Sequence, residues 1–255
     1  MRVVLIPFLL IAATSVNAQT HQWAVIEDAD HFTNIRQAPS ANAPVVDSIG
    51  ENQFFVVEKK RGDWWKVLNQ SITPDGSGYI HKSRVRLINQ LPDTAAQRLL
   101  RKVFGGYQRL VSLRNDINER RENTPDKFTA EDNALLLKTS QSISDTYDNS
   151  YEPALRFLPK YLCRTNDDRI LQDLFRIMVA DTGSASETPG DALGECYICQ
   201  PEWFLKQLRT LPSEERNIIF KQTQFGLENN MEVAADKRAA LSEMLNVEMV
   251  RKQSQ

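Results

Sequence analysis

Histidine is scarce in this chain, and where it is missing matters. His21, His31 and His81 are the only three, and no imidazole follows residue 81. None of them stands at metal-ligand spacing from a cysteine or carboxylate. A Cys–His couple serving the long C-terminal part would have to reach back across the molecule. A Gly-rich phosphate loop and a serine-nucleophile motif are both missing. Charge of one sign is missing too: 31 Lys and Arg face 33 Asp and Glu, a net charge of −2, which excludes the electrostatic footprint of a nucleic-acid binder. No long hydrophobic run follows the first residues, so no later segment is expected to span a membrane. These absences leave an expectation of no cofactor, no metal and no catalytic constellation.

Cysteine is sparse as well. Cys163, Cys196 and Cys199 are the three, all in the later part of the chain. An odd number leaves one thiol over. Cys196-Tyr197-Ile198-Cys199 has the spacing of a redox motif, but a Gly/Ser/Thr-rich stretch precedes it and the next helix is expected after the second cysteine, near Pro201. That is not the strand-then-helix setting of a thioredoxin-like site. One CxxC without a second pair or a nearby histidine also makes a poor zinc site. The leading expectation is a structural disulfide from Cys163 to Cys196 or Cys199. The alternative is a thiol-disulfide redox protein using the Cys196/Cys199 pair.

The chain opens with what reads as an export signal. Arg2 supplies the positive start, Val3 to Ala13 a short apolar run, and Val16-Asn17-Ala18 small residues at the cleavage positions. Cleavage is expected between Ala18 and Gln19, giving a protein that is periplasmic or secreted. An uncleaved anchor is the alternative. No cysteine sits at the cut to carry lipid.

Between residues 19 and 91, short alternating apolar runs are separated by turn residues, as in a small β-barrel. Strands are expected at Trp23–Ile26, Asn34–Arg36, Val45–Ile49, Phe54–Lys59, Trp64–Leu68, Tyr79-Ile80 and Val85–Leu87. Gly62 supplies a permissive backbone at one hairpin, and Thr73 to Gly78 forms another turn. Arg36 reads as a structural residue closing a turn. In the Trp64 strand, Val67 and Trp65 share the inner face, which puts Trp64 and Lys66 outside. An outward tryptophan is a good binding platform.

After Pro92 the period changes to that of helices. Asp93 or Thr94 is expected to cap a long first helix, bent at Gly105-Gly106 and ended by Thr124-Pro125. Thr129 to Asp132 reads as a capping box for a second. A third, Tyr151 to Leu162, should kink or break at Pro159. Asn166 or Asp167 caps a fourth, which Gly183 stops, and Thr182 to Glu195 reads as a loop. Pro201 opens a fifth. Ser213 caps a sixth ending at Gly226, and Asn230 caps the last. An antiparallel helical bundle is the expected arrangement.

The segments Phe32-Thr33-Asn34-Ile35-Arg36-Gln37-Ala38-Pro39-Ser40, Ala43-Pro44-Val45-Val46, Gly62-Asp63-Trp64-Trp65-Lys66-Val67 and Gly78-Tyr79-Ile80-His81-Lys82-Ser83-Arg84-Val85 resemble, in order and wording, the bacterial SH3 (SH3b) family. The resemblance covers about a fifth of the chain. It implies a small SH3-like β-barrel over 19–91; with the signal peptide read over 1–18 and the all-α helical domain read from periodicity over 92–255, the expectation is an α+β multidomain protein. It also implies a binding module of the cell envelope, with cell-wall peptidoglycan or an envelope protein as partner. Trp64, Lys66 and Tyr79 are the candidate ligand-binding residues. Asp63-Trp64-Trp65-Lys66 further resembles eukaryotic SH3 domains, where the first tryptophan lines the proline-rich peptide groove. His81 replaces that family's groove proline and Arg84 its groove tyrosine, which argues against a polyproline ligand. Bacterial SH3 modules often accompany Cys–His wall peptidases. A helical part without histidine argues against one here.

Overall fold

The computed structural model describes residues 21–28, 30–51, 53–60, 62–68, 77–181 and 186–250. The expected signal peptide and its cleavage site, most of the Thr73–Gly78 turn, and Gly183 lie outside these residues.

Seven antiparallel strands come first: β1 (His21–Ile26), β2 (Phe32–Arg36), β3 (Val45–Gly50), β4 (Phe55–Glu58), β5 (Trp64–Leu68), β6 (Ser77–His81) and β7 (Val85–Leu87). They form one sheet in the order β3-β2-β6-β5-β4-β1-β7. Every strand sends a residue into one core: Ala24 and Ile26, Ile35, Ile49, Phe55 and Val57, Val67, Ile80, and Leu87. A sheet whose two end strands share a core must curl on itself, which gives the barrel-like form. Gly62 sits at φ 102° in the β4–β5 hairpin, a conformation that costs glycine little.

Phe54 departs from the sequence reading. It was expected in a strand, but β4 begins at Phe55, and Phe54 is buried among the helices with Val25 and Ile88. Its N–H donates to the Asn149 carbonyl at 3.0 Å. The run Ala24-Val25-Ile26 is therefore apolar throughout because β1 is buried on both faces, Val25 against the helices and its neighbours against the sheet core.

The helices are α1 (Asp93–Asn123), α2 (Ala130–Thr146), α3 (Glu152–Thr165), α4 (Asp168–Ala180), α5 (Thr188–Cys199), α6 (Pro201–Leu208), α7 (Ser213–Asn229) and α8 (Ala235–Val250). Several termini differ from expectation. Pro92 rather than Asp93 or Thr94 precedes α1, and Pro212 rather than Ser213 precedes α7, neither with a side-chain cap. Asn230 ends α7 and bonds the N–H groups of Glu232 and Val233, so it shapes a turn and does not cap α8. The Thr129–Asp132 capping box is present, and Asp167 caps α4.

The chain stays helical at three places where a bend, a gap or a break was expected. α1 runs through Gly105-Gly106. Between α2 and α3 a π-helical turn, Tyr147–Tyr151, keeps the chain helical. It lays Tyr151 flat on Tyr107, with ring centroids 4.0 Å apart. Pro159 lies inside α3, its ring buried beside fully buried Leu155, Leu158 and Leu162. That packing offsets the roughly 3 kcal/mol an interior proline costs.

The stretch read as a loop up to Glu195 contains α5. Its glycines are poor helix formers, but they let α5 touch α7. A methyl on Gly226 would lie 2.0 Å from the Gly190 carbonyl oxygen, and one on Gly194 would lie 2.5 Å from the Gly226 carbonyl carbon. Gly226 thus sits inside α7 as a contact point and does not end it. Tertiary contact overrides propensity here.

Candidate functional site in the N-terminal sheet

Alternation along β2 buries Thr33 and Ile35 and turns Phe32, Asn34 and Arg36 outward. On β5, Val67 is buried and Trp65 packs against the sheet core, leaving Trp64 and Lys66 on the other face. Register then builds the outer surface in rows. Lys66 pairs with Tyr79, and Tyr79 with Arg36. Trp64 pairs with His81.

Pairing between β2 and β6 occurs at Arg36 and Tyr79. Past that point β6 ends at His81, and the chain enters a 3-10 turn, Lys82–Arg84. A groove of about 440 Å³ opens there, bounded by Phe32, Asn34 and Arg36 on one side and by Trp64, His81, Ser83 and Arg84 on the other, with Asp28 and Asp30 at one end.

The walls are fixed by local bonds. The Trp64 and His81 rings meet edge to face at 5.3 Å. His81 Nδ1 lies 2.7 Å from Ser83 Oγ and holds the turn. Lys82 pairs with Asp63 at 2.7 Å, and that contact pulls the exposed Asp63 carboxyl below its ordinary range. Arg84 pairs with Asp28, whose side chain is 4 % exposed, so the two charges nearest the back of the groove cancel. Arg36 donates to the Ala43 carbonyl at 2.7 Å and closes the loop after β2.

Of the residues singled out from the sequence, Trp64 lines the groove. Lys66 and Tyr79 share its face of the sheet but stand one row away, joined to the groove through Arg36. Phe32, Asn34 and Asp30 were missed. The signal for Phe32 was available, because the alternation that buries Thr33 and Ile35 forces a large aromatic outward, and Phe32 is 50 % exposed.

The cysteines do not form a second site. Cys163 and Cys199 are joined by the disulfide, which leaves Cys196 free and buried. Burial pushes the Cys196 thiol well above its ordinary range, with Glu195 adding to the shift. The CxxC ends α5, and because Cys199 is bonded to Cys163, its two sulfurs are not joined to each other. In the helices, Asp181 accepts from the Tyr107 hydroxyl at 2.8 Å and from Arg114 at 3.0 Å, a brace between α1 and the end of α4. Among the described residues no group of three or more His, Cys, Asp or Glu is placed to hold a metal, and no helix is long and apolar enough to cross a membrane.

Residues 31–86 match the bacterial SH3 domain family. The groove lies mostly within this SH3 domain. β1 precedes the matched residues yet completes the sheet by pairing with β4 and β7. No curated protein and no solved structure matches the chain.

Proposed function

We propose that this chain is an exported, non-enzymatic binding protein of the bacterial envelope, whose SH3 domain contacts cell-wall material or an envelope protein through the groove beside Trp64. The observation that carries this reading is the half-buried Trp64 ring, held against His81 at the wall of an open groove and not used in the sheet core. An aromatic fixed in this way gives contact area at little further ordering cost. The fixed helical scaffold, braced by Asp181 and stapled by the disulfide, suits a protein that presents this groove. A disulfide also fits an oxidising compartment. Co-sedimentation of the purified chain with isolated sacculi tests the wall partner. Pelleting above a soluble control supports it, and a chain left in the supernatant removes it in favour of an envelope protein.

A further inference from the structure

We propose that the helices hold a second binding site, a cavity at Tyr151 that takes a small one-ring acid bearing a hydroxyl group. It is distinct from the groove and does not rest on that reading. The cavity lies where the end of α4, the start of α5 and the middle of α7 meet over the π-helical turn, and it measures about 190 Å³. Ile177, Met178, Pro189 and Ile218 give it apolar walls. An apolar cavity of about 150 Å³ is enough to take up benzene, so this one has room for a single ring with small substituents.

The polar groups set what the ring must carry. Tyr151 lines the cavity and is 1 % exposed, yet its hydroxyl has no hydrogen-bond partner among the described residues. Burial, with the neighbouring Tyr107 and Asp181 adding to it, pushes its pKa well up, so the hydroxyl stays a donor. Tyr107, whose ring lies flat on that of Tyr151, gives its own proton to Asp181. A buried hydroxyl left unpaired carries its full desolvation cost, which a bond to a ligand recovers. Asp181 lines the same cavity. One of its oxygens accepts from Tyr107 and the other from Arg114, and each has a lone pair left. A ligand hydroxyl accepts from Tyr151 and donates to Asp181, so it serves both. Charge decides the other end. Arg114 neutralises Asp181 at 3.0 Å, so the interior has no unbalanced negative charge to hold an amine. Lys221 stands exposed at the rim, in no ion pair among the described residues, and suits a carboxylate.

The test is a calorimetric titration of the full chain with three probes: para-hydroxybenzoate, benzoate, which lacks the hydroxyl, and para-hydroxybenzamide, which lacks the charge. The first is expected to bind with a Kd at or below about 1 mM, and each of the others about five- to tenfold more weakly. Tyr151→Phe removes the unpaired hydroxyl and keeps the ring stack, so it should melt no lower than the parent. It should also stop telling para-hydroxybenzoate from benzoate. Lys221→Gln should stop telling para-hydroxybenzoate from para-hydroxybenzamide. No saturable binding of para-hydroxybenzoate, or a preference for it that survives in Tyr151→Phe or in Lys221→Gln, would overturn the proposal. A lower melt for Tyr151→Phe would overturn it equally, since the hydroxyl would then already be paired within the protein.

Discussion

At Asp167 one side chain closes a helix end and ties two others to it. Its carboxylate accepts from the backbone N–H groups of Arg169 and Ile170, from Gln97 at 2.6 Å and from the Tyr161 hydroxyl at 2.8 Å. Burial acts to raise its pKa, but these hydrogen bonds together outweigh it and hold the carboxyl below its usual range. A depressed folded pKa stabilises the native state above the unfolded value, near ~3.9, and that contribution fades as pH falls through the lower folded value. Asp167→Ala should therefore cost about 1–2 kcal/mol at neutral pH. The gap to the parent protein should narrow as pH falls below the unfolded value and through the lower folded one. Urea melts across that range check it, and a gap that stays constant with pH would mean the charge is not what matters.

The cysteines give a second residue-scale prediction. The native chain should show no reactive thiol, the denatured chain one, and the denatured and reduced chain three, counted with a thiol reagent. Loss of the bridge, as in Cys163→Ala with Cys199→Ala, should cost roughly 3–4 kcal/mol, since it closes a sequence separation of 36 residues. Two reactive thiols in the native chain would restore the redox reading of Cys196 and Cys199.

At the scale of elements, two glycine positions in helices should respond in opposite directions. Gly105 lies within α1 with only the end of the Arg109 side chain near a would-be methyl, at 3.7 Å. Gly105→Ala should stabilise by about 0.5–1 kcal/mol through helix propensity. Gly226 lies at the α5–α7 contact, where a methyl meets backbone at 2.0 Å. Gly226→Ala must push the two helices apart and should cost about 1–3 kcal/mol or more. Thermal melts of the two variants read both signs directly. The same pair shows what was legible in the sequence. The strands of the sheet were readable because alternation and turn residues are local signals. The Thr129 box and the Asp167 cap were readable for the same reason. α5 was not, because its reason for being helical sits on α7, more than thirty residues away. Pro159 misled likewise, because the burial of its helix, with Leu155, Leu158 and Leu162 in the core, offsets a local cost that the sequence shows alone.

Over the whole molecule the sheet and the helices share a boundary through Val25, Phe54 and Ile88, reinforced by the Lys102–Glu51 ion pair at 2.8 Å. That boundary uses one side of the SH3 domain and leaves the groove beside Trp64 open. The sequence marked Trp64 because Val67 had to be inside. It could not show that β6 stops short of the start of β2, so the groove, and with it Asn34 and Asp30, came to light only when the strands were placed, although alternation alone already turned Phe32 outward. Lys66 and Tyr79 were selected by the same local logic as Trp64, and the register sets them one row off.

The central claim is that the groove beside Trp64 is the binding surface. Its most direct test compares sacculus binding by the parent chain, Trp64→Ala and Lys66→Ala, with thermal melts to show that each variant is folded. The groove reading predicts that Trp64→Ala lowers binding about tenfold or more, as loss of an aromatic anchor does, while Lys66→Ala changes it much less. Full binding by a folded Trp64→Ala variant would contradict it and move the site elsewhere on the chain.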